Sequence, residues 1–215
     1  MTIPKFLRSV QKIVPIVALA LAASVGLPAA AQDASGPILF TNVNVFDGVN
    51  EALIENANVV VTDNLITAVS TKPLAVAGGR VIDGGGRTLM PGLTDCHWHS
   101  MAANFSGNAF ALGEGKLNLV AADGAEKTLM RGFTTIRDMG GNVFDLKSVI
   151  DEGMYVGPRM YAAGSMISQT SGHADFRQTI DIPQSYSRDL TPQERMGSVA
   201  IADGKAQVMQ RVREN

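Results

Sequence analysis

Between residues 37 and 90 the chain alternates apolar and polar positions with the two-residue period of β-strands. The segment ILFTNVNVF is rich in β-branched residues and runs into an Asp-Gly turn signal. ANVVVTDNLITAVS predicts two short strands joined by a tight turn at Asp63-Asn64. RVIDGGGRTLMPGL predicts a further strand, a glycine-rich bend and an exit at a Pro-Gly pair. We therefore predict a small antiparallel sheet for this part of the chain.

From Leu93 onward the pattern changes to strands that alternate with helices. LTDCHWHS, FTTIRDMGG and RMYAAGSMIS predict strands, and residues 119–131 and 143–152 predict helices that end at glycines. The polar stretch 169–192 is longer than most connections in compact domains and is typical of a functional lid or a disordered segment. A last helix is predicted with Asp203 as its N-cap. This order is typical of the first half of a parallel α/β fold.

The first 31 residues have the features of a secretory signal peptide. Three basic residues and no acidic one precede an apolar stretch at 13–27, and alanines at 29–31 follow it. A membrane anchor is the alternative, but this stretch is shorter than the roughly 20 apolar residues that a spanning helix needs. We predict cleavage after Ala31 and a periplasmic or secreted protein without membrane attachment.

Composition narrows the partners and the sources of stability. The formal net charge of −2 over 215 residues argues against a nucleic-acid partner, because such proteins usually present a basic face. Cys96 is the only cysteine in the sequence, so the chain cannot form an internal disulfide even in an oxidising compartment. Its stability must come from core packing or from bound metal.

His97 and His99 are candidate metal ligands. Side chains two residues apart on a strand project from the same face, so both imidazoles can reach one ion, with Asp95 on that face as well. Zinc and related divalent metals readily accept imidazole nitrogen. The pair by itself leaves open that both are surface or half-buried polar residues at a strand end. Cys96 and Trp98 alternate with the histidines and are predicted to pack on the opposite face.

The segment DGGGRTLMPGLTDCHWHS resembles the entry to the barrel of the amidohydrolase superfamily, where a Pro-Gly pair and a short apolar stretch precede Asp-x-His-x-His. Upstream, NVNVFDG and VIDGGGRTLMPG are similar to the small β-domain of that family. Downstream, residues 132–141 and 157–175 resemble its second and third barrel strands, most closely in the imidazolonepropionase-like and prolidase-like branch. The resemblance covers nearly the whole chain after the leader.

The resemblance implies an α/β fold, the N-terminal part of a (β/α)₈ TIM barrel preceded by a small antiparallel β-domain. The expected organisation is a signal peptide at 1–31, a small β-sandwich-like domain at 32–90 and the first half of the barrel at 91–215. VREN at the C-terminus resembles the helix that precedes the fourth strand, so the barrel is expected to be cut about half-way. Chemistry in such barrels takes place at the carboxyl ends of the strands.

The resemblance also implies that His97 and His99 hold a divalent metal, expected to be zinc, with one or two ions in the full-length protein. A metal held there polarises the substrate carbonyl and activates a water for attack on an amide or ester carbon. Asp95 is expected to support a ligand rather than to be one.

His173 lies in a Gly-His segment after the third strand, and the resemblance implies a substrate contact or a proton-transfer role. A solvated loop histidine is the alternative. The family pattern more often has two glycines before this histidine, whereas Ser171 precedes Gly172 here.

Arg137 and Asp138 end the second strand and are expected to form an internal salt bridge.

Two functions stay open. The first is a metal-dependent hydrolase of amide or peptide-like bonds, a periplasmic dipeptidase or N-acyl amino acid hydrolase in its full-length form, with a small-molecule or dipeptide substrate. Its homo-oligomerisation is open. The second is a catalytically incompetent fragment that acts as a binding or interaction module, because two histidines without a third ligand and a base make an incomplete catalytic zinc site.

Overall fold

A computed structural model describes residues 36–103, 112–178, 180–181 and 189–215. The predicted signal peptide lies outside these residues. The described chain forms two compact units, one of residues 36–43 with Glu55–Arg87 and the other of Asn44–Ile54 with Thr88–Asn215. Within the described residues, no helix has the length and apolar character that crossing a membrane requires. The predicted division into domains at residue 90 stays a prediction for the whole protein.

The first sheet has four strands in the order β3-β2-β1-β4, and a fifth strand, β5, pairs with the end of β1. Its strands are β1 (Ile38–Val45), β2 (Ile54–Thr62), β3 (Leu65–Ser70), β4 (Arg80–Asp83) and β5 (Thr88–Leu89). The predicted turn between β2 and β3 is confirmed, because these strands pair antiparallel and Asp63 adopts the positive φ of a tight hairpin turn, 53°.

The prediction of a purely antiparallel sheet is wrong. Both β4 and β5 pair with β1 in parallel. The hairpin of β2 and β3 occupies one side of β1, and the chain then crosses over through residues 71–79 to reach the other side. A strand that arrives by such a crossover runs in the same direction as its neighbour, whereas direct hairpins give antiparallel neighbours.

The second unit alternates strands with helices, as predicted. Its elements are β6 (Leu93–Trp98), α1 (Ser100–Ala103), α2 (Glu114–Met130), β7 (Phe133–Asp138), α3 (Phe144–Asp151), β8 (Arg159–Ala162), β9 (Met166–Ser168), α4 (Pro192–Arg195), β10 (Val199–Ile201) and α5 (Lys205–Glu214). β6, β7 and β8 form one parallel sheet in that order, and β9 and β10 form a parallel pair. The structure thus shows a mixed α/β unit, and the complete barrel stays an expectation.

The core of this unit lies between the parallel sheet and the helices. Ile136 in β7 and Met160 in β8 are almost fully buried, and Leu117 and Ala121 present one face of α2 to them. Their spacing of four residues is that of an apolar helix stripe. Gly132 follows α2 with a φ of 93°, the left-handed conformation that commonly ends a helix and that the sequence predicted at this glycine.

The stretch 169–192, predicted to be irregular, leads directly into ordered elements that the sequence analysis missed. A capping box starts α4, in which Thr191 Oγ1 accepts from the Glu194 backbone N–H and the Glu194 carboxylate accepts from the Thr191 backbone N–H. Asp203 is not the N-cap of α5, because Gly204 holds that position. The Asp203 carboxylate accepts instead from the backbone and hydroxyl of Thr170.

Candidate metal centre

The His-x-His segment lies where β6 ends. His97 is inside the strand and His99 directly follows it. The pairing of β6 with β7 shifts between Asp95 and Trp98, where β6 has one residue more than its neighbour, as in a β-bulge. Strict alternation of side chains therefore does not extend from Asp95 to His99. The two imidazoles nevertheless lie together, with ring centroids 5.2 Å apart at an interplanar angle of 69°.

This geometry fits a shared divalent cation. Two imidazoles on one tetrahedral zinc, with Zn–N distances of about 2.0–2.1 Å, have ring centroids roughly 5 Å apart. His97 is exposed and His99 is half-buried, so a cation can reach both from solvent. In the part of the chain that the structure describes, no group of three or more His, Cys, Asp or Glu side chains is placed to hold a metal. Among the described residues, His97 and His99 are thus the two candidate ligands.

A backbone carbonyl orients the ring of His99. Its Nδ1 lies 3.5 Å from the carbonyl oxygen of Gly140, at the outer limit of hydrogen-bonding distance. A carbonyl can only accept, so this contact favours a proton on Nδ1 and leaves the Nε2 lone pair for a cation. The loop after β7 therefore places a hydrogen-bond acceptor beside Nδ1 of His99.

Asp95 supports His97 through the backbone. Its Oδ1 accepts a hydrogen bond of 2.9 Å from the His97 N–H. The expectation that Asp95 supports a metal ligand stays a prediction. Trp98 packs against the core, as predicted. The prediction that Cys96 packs is wrong, since its side chain is exposed. The bulge breaks the alternation on which that prediction depended.

The predicted salt bridge between Arg137 and Asp138 is wrong as well. Neighbouring residues of a strand point to opposite faces, so the two side chains cannot meet. Arg137 Nε donates to the carbonyl oxygen of Cys96 at 2.7 Å. Asp138 is fully buried, and its two oxygens accept from the backbone N–H groups of Ser100, at 2.7 Å, and Gly140, at 3.1 Å.

Asp138 therefore fixes the surroundings of His99 from two directions. Ser100 is the residue after His99, and Gly140 carries the carbonyl that the His99 ring approaches. One buried carboxylate thus holds the backbone on both sides of the candidate ligand. Sequence reasoning missed this role, although an aspartate between a predicted strand and a Gly-Gly pair was a usable signal.

The loop that carries His173 is held by acidic side chains. Asp203 accepts from Thr170 N at 2.9 Å and from its Oγ1 at 2.5 Å. Asp175 accepts from Ser171 N at 2.7 Å and forms an ion pair with Arg177. The hydrogen bond from Arg177 is the main reason why the pKa of Asp175 is lowered to about 2, against the opposing effect of burial.

The backbone of this loop explains why glycines suit it. Ser171 has a φ of 58°, in the left-handed region that favours glycine. A Cβ on Gly172 would lie 2.3 Å from Ser168 Oγ, which leaves no room for a side chain. Gly172 is thus required by close packing, and Ser171 adopts a conformation that costs a non-glycine residue free energy.

His99 and His173 line one cavity of about 180 Å³. They follow β6 and β9 respectively, and Gly140, which follows β7, also lines the cavity. The structure therefore brings together two of the three predicted site residues at the carboxyl ends of parallel strands. The third residue, His97, does not line the cavity, but its ring contacts the ring of His99. Metal ligation by His97 and His99, and a substrate contact by His173, stay predictions.

Comparison with known proteins identifies one family for this chain. The model described as "Amidohydrolase family" matches residues 88–212. Ochratoxinase of Aspergillus niger is 29% identical to this chain over an alignment that covers 74% of the chain and 36% of that enzyme.

Solved structures give the same result. A prolidase complexed with N-methylphosphonate-L-proline matches with a TM-score of 0.70 and 31% sequence identity. The alignment covers 83% of this chain and 43% of the prolidase chain. A Xaa-Pro dipeptidase with bound methionine in the active site has a TM-score of 0.67 at 26% identity, with 83% and 44% covered. The chain spans less than half the length of these relatives.

Replacing Asp138 by alanine should destabilise the protein strongly. The substitution leaves the N–H groups of Ser100 and Gly140 buried without their acceptor, at a cost of about 1–3 kcal/mol for each donor. Urea unfolding of the whole protein measures this loss, and Asp145→Ala, at an exposed position in α3, is the control. Equal stability of the two variants would show that Asp138 has no such role.

Ser171→Gly should stabilise the protein, because glycine adopts a positive φ without steric cost. The free energy of unfolding should rise by about 0.5–1 kcal/mol. This gain is the steric cost of a left-handed serine, reduced by the larger conformational entropy that glycine has in the unfolded chain. Ser148→Gly, in helix α3, should lower stability instead. Thermal unfolding of both variants makes the comparison, and a loss of stability in Ser171→Gly contradicts the argument.

The contribution of Asp175 to stability should depend on pH. Its pKa is about 2 in the folded chain against an ordinary value of 3.8, so its stabilising effect is complete above pH 3.8 and is lost as the pH falls through about 2. We expect the native protein to be more stable than Asp175→Asn near neutral pH and the difference to shrink across that window. Unfolding curves at a series of pH values test this, and a difference that does not change with pH would refute it.

Proposed function

The chain belongs to the amidohydrolase family, and we propose that the whole protein is a metal-dependent hydrolase of carbon–nitrogen bonds. The observation that carries the proposal is that His99 shares a cavity with His173 while its ring lies 5.2 Å from that of His97. All three residues come at or after the carboxyl ends of parallel strands, where barrel enzymes hold their active sites.

His97 and His99 are the residues that would hold a divalent cation, for which we propose zinc. When bound, such a cation supplies a Lewis acid for the substrate carbonyl and lowers the pKa of a water. The chain itself holds the backbone of His97 through Asp95 and places the Gly140 carbonyl beside Nδ1 of His99. A segment that is held in this way needs little rearrangement when its residues bind metal.

His173 is proposed to act on the substrate. It lines the cavity next to His99, and its loop is fixed by the hydrogen bonds of Thr170 and Asp175. An imidazole N–H can donate a hydrogen bond to a substrate oxygen, and an imidazole can also transfer a proton to the leaving amine. A fixed loop keeps that donor in one position, which general acid catalysis requires.

For the substrate we propose a dipeptide or an N-acyl amino acid. A prolidase and a Xaa-Pro dipeptidase are among the structures that this chain resembles, and both names refer to peptide bonds. The leader-like sequence at 1–31 supports a periplasmic or secreted location, where scavenging of such compounds is useful. We propose that residues outside the described part of the chain supply the third ligand and the base.

A binding or interaction module is the second candidate. It is favoured by the finding that, within the described ranges, no group of three or more His, Cys, Asp or Glu side chains is placed to hold a metal. A two-histidine site binds metal without the base and third ligand that hydrolysis requires. The two candidates differ in catalysis and agree on metal binding by the histidines.

The metal claim is tested on the whole protein with His97→Ala and His99→Ala. We expect each variant to lose most of its bound metal as measured by elemental analysis, because one imidazole alone holds a cation weakly. His173→Ala is the matched control, and it should keep the metal and lose kcat/KM. Full metal content in both His97→Ala and His99→Ala would contradict their role as ligands.

A hydrolysis screen separates the two candidates. The whole metal-loaded protein is incubated with libraries of dipeptides and N-acyl amino acids, and released amines are measured. Hydrolysis that His173→Ala weakens supports the enzyme. Absence of hydrolysis in a protein that retains metal supports the binding module.

A further inference from the structure

The walls of the cavity that His99 and His173 share are mainly apolar. Among the described residues that line it, none is Asp, Glu, Lys or Arg. A charged group of a ligand would therefore lose its hydration there without gaining an ionic partner. Thioethers and a phenyl ring make up much of the wall, from Met101, Met166, Met196 and Phe176.

The glycine at position 140 allows Met166 to form part of this wall. A Cβ on Gly140 would lie 2.1 Å from Met166 Cγ, so any side chain at that position would displace the thioether. Gly141 has a φ of 129°, which residues with a side chain rarely adopt, and a Cβ there would be in ordinary contact with Met101 Sδ at 3.4 Å. The backbone at Gly140 thus approaches Met166 more closely than another residue would allow. The apolar wall is therefore a specific feature of the site, because the backbone leaves room for its side chains.

The volume of the cavity sets the size of its occupant. At about 180 Å³ it is slightly larger than an engineered apolar cavity of about 150 Å³ that binds benzene. A phenyl ring or a branched alkyl group of similar size therefore fits. Methionine side chains are flexible and polarisable, so they can adapt to either shape.

We propose that this cavity binds an apolar side chain of the amide substrate, a phenyl ring or a branched alkyl group, beside the bond that is hydrolysed. The inference rests on the proposed function, because His99 and His173 relate the cavity to the reacting carbonyl. The protein thus selects amides by an apolar group next to the carbonyl or the amine.

Binding is tested without catalysis, on the metal-free whole protein labelled with [methyl-¹³C]methionine. Phenylacetate is the probe and acetate is its control. We expect phenylacetate alone to shift the methyl signals of Met166 and Met196, which are assigned by substitution to alanine. Met130 and Met154, which are 77% and 62% exposed and lie outside the cavity lining, should not respond. Unmoved signals of Met166 and Met196, or equal shifts of all four, would overturn the inference.

Kinetics supply the second test, on the metal-loaded whole protein. Two series of amides are compared, N-acyl glycines with growing acyl groups and N-acetyl amino acids with growing side chains. The series whose growing group lies on the same side of the amide bond as the cavity should respond. In that series kcat/KM should rise about fourfold for each buried methylene until the cavity is filled. Met166→Ala should move the optimum to a bulkier group, with Met196→Ala as the alternative variant and Met154→Ala as the unaffected control. A flat response in both series contradicts the proposal.

The two tests distinguish failure of this inference from failure of the proposed function. Methionine shifts with phenylacetate in a protein that hydrolyses no amide would refute the hydrolase and leave the apolar site standing. Hydrolysis with silent methionine signals and no dependence on size would refute the apolar site alone.

Discussion

The arrangement of the candidate site depends on one buried carboxylate. Removing a charged group from water is costly unless hydrogen bonds replace its hydration, and Asp138 meets this requirement with the N–H groups of Ser100 and Gly140. These two donors belong to the segments that follow adjacent parallel strands, β6 and β7. Gly140 also carries the carbonyl that lies 3.5 Å from His99 Nδ1, so the carboxylate that joins the segments also positions the acceptor beside that ring.

A second constraint is the lack of space around the backbone of the site. Gly140 leaves room for Met166, and Gly172 leaves room for Ser168. These contacts bring the loops after β7 and β9 close to their neighbours, so the cavity between His99 and His173 keeps a defined shape. Where the chain has Ser171 at a left-handed position, the bonds from Thr170 to Asp203 and from Ser171 to Asp175 offset the strain. Polar contacts and glycines thus act together to hold the loop of His173.

The parallel strands of this unit separate the residues that stabilise the fold from those that form the candidate site. Buried apolar residues such as Ile136 and Met160 fill the layer between sheet and helices and provide stability. The candidate site lies beyond the strand ends, where loops from several strands meet.

The sequence alone determined the local elements and the pair of imidazoles. Periodicity encodes strands and helices, a two-residue spacing keeps His97 near His99, and glycine marks chain positions such as 132 because few other residues adopt a positive φ. Only the tertiary structure decided that β4 pairs in parallel with β1, that Asp138 binds Ser100 rather than Arg137, and that Asp203 binds Thr170 instead of capping a helix. These outcomes join residues about 30 to 45 positions apart, and a local pattern carries no information on which distant donor will lie beside a given carboxylate.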